Sequence, residues 1–367
     1  MSFFGFSKAN DSMIPERIKK RWKMLSSGLI IDSKISENPV WKVDINSFED
    51  FFSGLERRSG QSLGRRLAHA SSESEEWLMN DSNVKSPSSR NPQKWKLIRS
   101  DWQDRGLGSF ELVDDDEEIR VHLSHPINGP MCAGIFSAIW EYATNSRFRF
   151  RWNQNTSNSL MLSLSLDNAN IPKPRISHIP WFQDKVILNS DSDSDDESWD
   201  TLLVGKDGTW TIMGNRMAMI HQDLILRFES YFLPYVDTVH EGREDSFIWS
   251  GIDDKKSILW TIFSDAIREI FFNQGHHIII SKEEDWVVVG NRHLARNGLG
   301  SIASVNSIDD FGGVEIFFSS CFHPAIFCGV LSGCWERAYG RNVKSEFRIE
   351  SNTNVLKLMS MTEIAKQ

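Results

Sequence analysis

Gly106-Leu107-Gly108-Ser109 opens a stretch that continues through Ile119-Arg120-Val121-His122-Leu123-Ser124 and Pro126 to Gly134-Ile135-Phe136-Ser137-Ala138-Ile139-Trp140-Glu141-Tyr142-Ala143. The same order returns from Gly298-Leu299-Gly300-Ser301, through Val314-Glu315-Ile316-Phe317-Phe318-Ser319 and Pro324, to Gly329-Val330-Leu331-Ser332-Gly333-Cys334-Trp335-Glu336-Arg337-Ala338. Glycine, serine, tryptophan, glutamate and alanine recur in one order, which marks a duplicated unit. Neither copy contains a catalytic signature, so the repeat speaks to fold before it speaks to chemistry.

Around this repeat the patterns favour strands. Ser109-Phe110-Glu111-Leu112-Val113 and Ile119-Arg120-Val121-His122-Leu123 flank the acidic run Asp114-Asp115-Asp116-Glu117-Glu118, and Asp309-Asp310-Phe311-Gly312-Gly313 holds the same place in the second copy. Both read as hairpin turns. Beyond the Trp-Glu helix, Arg147-Phe148-Arg149-Phe150-Arg151-Trp152 alternates, as do Val343, Phe347 and Ile349 against Lys344, Glu346 and Arg348. A period of two puts one class of side chain on each face of a strand.

Upstream the period lengthens to that of a helix. Asp11-Ser12 and Pro15 give a start, after which Ile14, Ile18, Trp22 and Leu25 predict a helix lasting to Gly28. A second opens near Asn46-Ser47 with Phe48, Phe51, Phe52 and Leu55 inside, and Arg57, Arg58, Arg65 and Arg66 on the polar side. In the second half residues 217–232 predict one helix, and Ile258, Ile262, Ala266, Ile267, Ile270 and Phe271 another. Trp41 then matches Trp249, and Glu75-Glu76-Trp77 matches Glu284-Asp285-Trp286. The expectation is an α+β fold of two tandem copies, 1–167 and 209–367, each with helices first and then an antiparallel sheet interrupted by one helix. An acidic Ser/Asp-rich linker, 168–208, joins them.

The 367 residues suffice for two cores. With 41 basic and 50 acidic residues the net charge is −9, which removes the cationic field that drives phosphate-backbone binding and argues against nucleic acid as main partner. The N-terminus lacks the apolar run of a signal peptide and no stretch of about 18 apolar residues predicts a membrane span, so a cytoplasmic protein is expected. Cys132, Cys321, Cys328 and Cys334 do not form a disulfide framework and are expected reduced. The run Asp191-Ser192-Asp193-Ser194-Asp195-Asp196-Glu197-Ser198 reads as solvated; as a Ca²⁺ loop it fails, with Asp196 at the sixth position and Leu202 at the twelfth. Residues 83–92 read as an exposed loop leading to Trp95 and Trp102.

Taken in order, the helices, Trp102 and Gly106-Leu107-Gly108, the acidic hairpin, Val121-His122-Leu123-Ser124-His125-Pro126, Gly134 with its helix and the strand from Phe148 resemble the 4-vinyl reductase domain family. These are small-molecule-binding relatives of the TRAPP vesicle-tethering subunits. Gly298-Leu299-Gly300, residues 314–319, Gly329 and residues 343–349 resemble it again in the second half. Cysteines that members often carry after the helix are missing from 153–166 and 351–361. The resemblance implies an internal pseudo-dimer packed through its helices, each half enclosing an apolar pocket.

The candidate site residues sit on the repeated helix. Phe136, Trp140, Leu331 and Trp335 are expected as pocket walls, with core packing as the competing reading. Ser137, Glu141 and Thr144 share a helical stripe, reproduced by Ser332 and Glu336. Glu141 and Glu336 are read either as polar anchors at a pocket mouth or as salt-bridged surface groups. No catalytic residue, metal site or cofactor is expected: Cys321, His323, Cys328 and Cys334 lack ligand spacing, the Gly-Leu-Gly-Ser elements open strands, and no Gly-x-Ser-x-Gly elbow, P-loop or His-Glu-x-x-His occurs. The arginines Arg147, Arg149 and Arg151 read as a solvated sheet face. The function expected is a non-enzymatic binder of a small hydrophobic or aromatic molecule or an acyl chain, a possible sensor or regulator. The alternative is a TRAPP-like protein–protein scaffold with closed cavities and protein partners.

Overall fold

A computed structural model describes residues 6–35, 38–81, 87, 89–114, 118–156, 158–169, 172–177, 179, 181, 196–350 and 353–362. The first half runs α1 (Phe6–Arg21), β1 (Trp22–Met24), β2 (Ile30–Asp32), β3 (Pro39–Asp44), α2 (Ile45–Ser59), α3 (Gly64–Asp81), α4 (Lys96–Arg105), β4 (Ser109–Asp114), β5 (Ile119–Ser124), α5 (Gly129–Thr144), β6 (Arg147–Thr156) and β7 (Ser159–Asp167). The second runs β8 (Leu203–Val204), β9 (Trp210–Ile212), β10 (Asn215–His221), α6 (Gln222–Phe232), β11 (Phe247–Trp249), α7 (Asp254–Asn273), α8 (Glu283–His293), β12 (Ser304–Ser307), β13 (Val314–Phe318), α9 (Pro324–Tyr339), β14 (Val343–Glu350) and β15 (Thr353–Ser360). The chain is α+β.

Three sheets form. One has the order β4-β5-β7-β6, antiparallel throughout. A second repeats that order as β12-β13-β15-β14 and adds β11, parallel to β14. The third, β1-β2-β3-β10-β9-β8, takes three strands from each half. Its central pair is antiparallel and reciprocal: Val40 faces His221, Asp44 faces Met217, and Lys42 lies opposite Met219 at the centre. Asp44 and His221 are the N-caps of α2 and α6, so both helices leave the shared sheet from equivalent points.

Two turns lock each half's repeat onto this sheet. Gly106 ends α4 at φ 72°, and a Cβ there would come 2.4 Å from the Met217 carbonyl; Gly298 at φ 75° would come 2.3 Å from the Val40 carbonyl. Only glycine fits a left-handed conformation with backbone so close. The Gly108 N–H then donates to the Gly208 carbonyl at 3.3 Å, and the Gly300 N–H to the Gly28 carbonyl at 3.1 Å.

Gly134 of α5 and Gly329 of α9 let those helices press on α3 and α7. A Cβ would lie 2.0 Å from the Ala68 carbonyl in one case and 2.6 Å from the Ser264 carbonyl in the other. Between the halves, Phe51 of α2 meets Phe263 of α7 edge-on at 5.4 Å, and Phe228 of α6 stacks on the same ring. Burying a side chain of that size stabilises by about 1.5–3 kcal/mol. Arg58, expected on a polar face, is buried instead and donates to Asp265 at 2.7 Å across the same contact.

Other local expectations are corrected. The first helix stops at Arg21, and Trp22 enters a strand paired with Asp32. Residues 217–221 are strand, paired along their length with β3 and buried on both faces despite their helical period. Strands β8, β9 and β10 therefore precede α6 in the second half, and β1, β2 and β3 lie between α1 and α2 in the first. Trp41 (β3) and Trp249 (β11) occupy different sheets, and Trp77 (α3) and Trp286 (α8) different helices. The stretch expected as linker contains β8, and its Asp196 is held by Lys42 at 2.7 Å, where Lys42 is almost fully buried. Residues 191–195 of the acidic run lie outside the described residues, as do 83–86 and 88 of the loop before Trp95 and 115–117 of the acidic hairpin.

Candidate functional site

The four apolar residues expected as pocket walls on the repeated helix lie in the core. Phe136, Leu331 and Trp335 are fully buried, and Trp140 nearly so. Phe136 and Trp140 are enclosed by Trp95, Trp102, Phe110 and Phe148. Trp335 packs on Tyr339 at 4.9 Å and donates its indole N–H to the Gly312 carbonyl at 2.7 Å. None of the four lines either of the two clefts described below.

Glu141 and Glu336 are consumed as joints. Glu141 accepts from the Phe148 N–H at 2.8 Å and from Arg147 at 2.7 Å; Glu336 accepts from the Val343 N–H at 3.1 Å, from Arg268 at 2.9 Å and from Arg243. Each ties the end of its helix to the start of the next strand. Burial pushes the Glu141 carboxyl up, opposed by the Phe148 and Arg147 hydrogen bonds. Of the two readings of these glutamates, the salt-bridged one describes their contacts.

The stripe around them differs between halves. Ser332 and Ser345 hydroxyls bond at 2.7 Å, whereas the buried Ser137 hydroxyl and the Trp140 indole N–H have no partner among the described residues. A buried donor left unmade costs about 1–3 kcal/mol.

One open cleft, of about 500 Å³, lies in the first half where α2, α3, α5 and β6 converge. Its walls come from four elements. Gly64 starts α3, Asn128 caps α5 by accepting from the Met131 N–H at 3.1 Å, and Trp152 and Gln154 extend from β6. From α2 come Phe52, Glu49 and Glu56; Asn128 donates to Glu49 at 3.0 Å, and Glu56 accepts from the Leu63 N–H at 2.7 Å. Burial pushes the Glu49 carboxyl up, with Asn128 opposing and Asp50 and Glu56 adding to the rise. The result is a mostly polar lining of carboxylate, amide, hydroxyl and guanidinium (Arg65) groups, with Phe52, Pro130 and Trp152 as its apolar parts.

In the second half the same junction is filled. Gly64 lies four residues before the carbonyl that Gly134 meets, and Trp260 lies four before the carbonyl that Gly329 meets. Trp260, fully buried, contacts Trp249 at 5.2 Å, Phe347 at 6.0 Å and His323 at 5.5 Å, with Trp181 on its edge. His323 caps α9 as Asn128 caps α5. Because its Nδ1 accepts from the Ala325 N–H at 3.2 Å, Nε2 carries the proton given to Glu229 at 2.8 Å, and Lys256 reaches the other oxygen at 2.7 Å. Burial favours the neutral acid at Glu229, yet His323 and Lys256 outweigh it and hold the carboxyl below its ordinary range.

The cysteines are buried thiols. Desolvation raises Cys132 to about 11 and the other three well above the usual value. Among the described residues no group of three or more His, Cys, Asp or Glu is placed to hold a metal ion, and no helix is long and apolar enough to cross a membrane. Arg149 is exposed and paired with Asp167 at 2.9 Å, while Arg147 turns inward to Glu76 and Glu141. Sequence reasoning did not find the open cleft: Gly64 and Trp152 carry no motif, and only the comparison of Gly64 with Trp260 signals it.

No family model matches the chain, and no curated protein or solved structure matches it either.

Proposed function

We propose that this chain is a binding protein made of two like modules of the 4-vinyl-reductase and TRAPP-like type, joined as a pseudo-dimer. Its first half takes a small molecule with a flat aromatic or other apolar part and a polar group. The repeated strand orders and the reciprocal central register support the two-module reading. The place of binding is the cleft at Gly64 and Trp152, not the buried walls expected on the repeated helix. The observation that carries this is its openness, about 500 Å³ where the other half inserts Trp260. That volume lies within the range usual for small-molecule sites, and Trp152 and Phe52 offer the apolar contacts in an otherwise polar lining.

The test is a ligand-observed NMR screen of aromatic fragments bearing a hydroxyl, amine or carboxyl group, followed on the Trp152 indole resonance. Hits should move that resonance and should lose binding in Gly64→Phe, which places a ring where Trp260 stands in the other half. Hits that bind Gly64→Phe as well as the parent chain would sink the proposal.

A second reading, the scaffold, rests on the filled interior of both repeated helices. It expects partner proteins to be retained equally by the parent chain and Gly64→Phe.

A further inference from the structure

The second cleft, of about 330 Å³, lies where α1, α4 and the turn between β8 and β9 meet. Its chemistry is unlike the first. Lys96, Arg99, Ser100 and Gln103 fall at helical spacing on one stripe of α4, Arg17 stands on α1, and Lys206 projects from the turn. Trp102 and Phe110 form the floor.

These cations are unevenly neutralised. Arg17 is engaged by Asp104 at 2.7 Å and by Gln103 at 2.8 Å. Arg99 makes no carboxylate bond among the described residues: its Nε donates to the Pro92 carbonyl at 3.3 Å and its guanidinium lies 4.5 Å over the Phe110 ring. Burial lowers its pKa, with Glu111 opposing only through space. Lys96 and Lys206 have no ion-pair partner among the described residues. Asp207, beside Lys206, is directed to His125 at 3.8 Å. The Trp102 indole N–H is buried without a partner among the described residues. In a chain of net charge −9, a concave site with three cations that meet no carboxylate among the described residues is set against the overall field.

The matching place in the other half lacks this charge. Counted from Gly28, which meets Gly300 as Gly208 meets Gly108, the residue in the place of Lys206 is Ser26. Counted back from Gly298, the residues in the places of Lys96 and Arg99 are Val288 and Asn291. The cations therefore do not follow from the repeated fold; they belong to this cleft.

We propose that the cleft between α1, α4 and the β8–β9 turn binds a small phosphate ester, its phosphate held by Lys96, Arg99 and Lys206. Guanidinium and ammonium groups together suit phosphate, the first as a planar fork and the second as a mobile point charge. The volume, at the low end for small-molecule sites, admits a phosphorylated metabolite and not a polymer. The site is separate from the Trp152 cleft and does not depend on it.

Inorganic pyrophosphate is the probe, titrated calorimetrically into the full chain at low salt. Binding is expected, weakening as salt rises. Lys96→Ala with Lys206→Ala should weaken it at least about tenfold, and Arg99→Gln about tenfold alone, as loss of charge-assisted hydrogen bonds implies. Lys96 and Lys206 are exposed, so the double variant should unfold at the parent's temperature without pyrophosphate. Lys282→Ala, removing an exposed lysine elsewhere, should leave affinity unchanged. Failure of the parent chain to bind, or equal losses in Lys282→Ala and the double variant, would overturn the proposal.

Discussion

The two halves lay down the same strand orders around the same glycine contacts, yet they treat one junction in opposite ways. Where α2, α3, α5 and β6 meet, the first half leaves a cleft floored by Trp152; the second closes the equivalent place with Trp260, Trp181 and the buried His323–Glu229–Lys256 chain. The difference teaches that a shared framework fixes where elements cross, while one side chain at a crossing decides whether the space is core or site. The stripe of the repeated helix points the same way: its polar groups are paired at Ser332 and Trp335, while Ser137 and Trp140 have no partner among the described residues.

The comparison is broken most directly at Trp260. Trp260→Ala should destabilise by about 3–5 kcal/mol, read by denaturant unfolding, because a fully buried indole leaves a cavity. A loss under about 1 kcal/mol would mean that the second junction is as loosely filled as the first.

What the halves share is tested next. Gly134→Ala and Gly329→Ala each force a Cβ against a backbone carbonyl and should cost about 1–3 kcal/mol, with Gly134 the more sensitive since its approach is closer. Tolerance of either change would remove the helix crossing as a common constraint.

Acid should then separate the halves. His293, on α8 beside Phe271 and His276, is pulled down to about 4, first by burial and then by His276, Arg292 and Arg296. A histidine depressed in the fold contributes stability that is present above its unfolded pKa of about 6.5 and is lost as pH falls toward its folded value. His69 in the first half and His276 are lowered in the same direction. The unfolding midpoint should therefore fall between about pH 6.5 and 4, and His293→Phe should flatten that limb more than His69→Phe. An unchanged slope in His293→Phe would contradict this. Below about pH 4 the lowered carboxyls of Glu229 and Asp265 add a second loss as they protonate.

The smallest effect is at Gly64. Gly64→Ala should stabilise by about 0.5–1 kcal/mol, since a Cβ there meets Pro130 at an ordinary 3.4 Å and helix propensity improves. Destabilisation would show that the start of α3 is tighter than its cleft implies.

Much of the fold was legible because its signals are local. The hairpins around Asp114 and Asp309, the buried helices ending at Trp140-Glu141 and Trp335-Glu336, and the tight turns at Gly106 and Gly298 each follow from residues close in sequence. The candidate site was less legible. Phe136, Trp140, Leu331 and Trp335 have the composition of a pocket wall and of a core, and nothing within the helix distinguishes them. Glu141 and Glu336 look exposed on a helical wheel, yet each is bound by the backbone N–H that follows the turn. Arg58 reads as surface until Asp265, on the other half, is placed against it.

By itself the amino-acid order determined the α+β class, the recurrence of one residue order in the two halves and the hairpins around Asp114 and Asp309, because period and turn chemistry act over a few residues. Tertiary structure alone decided the shared six-stranded sheet, since β1, β2, β8 and β9 are too short to carry a period and the two halves join where β3 pairs with β10, far apart in the chain. It also decided which junction stays open. That outcome depends on volumes contributed by several elements far apart in the chain, and packing, unlike periodicity, is a property of neighbours in space.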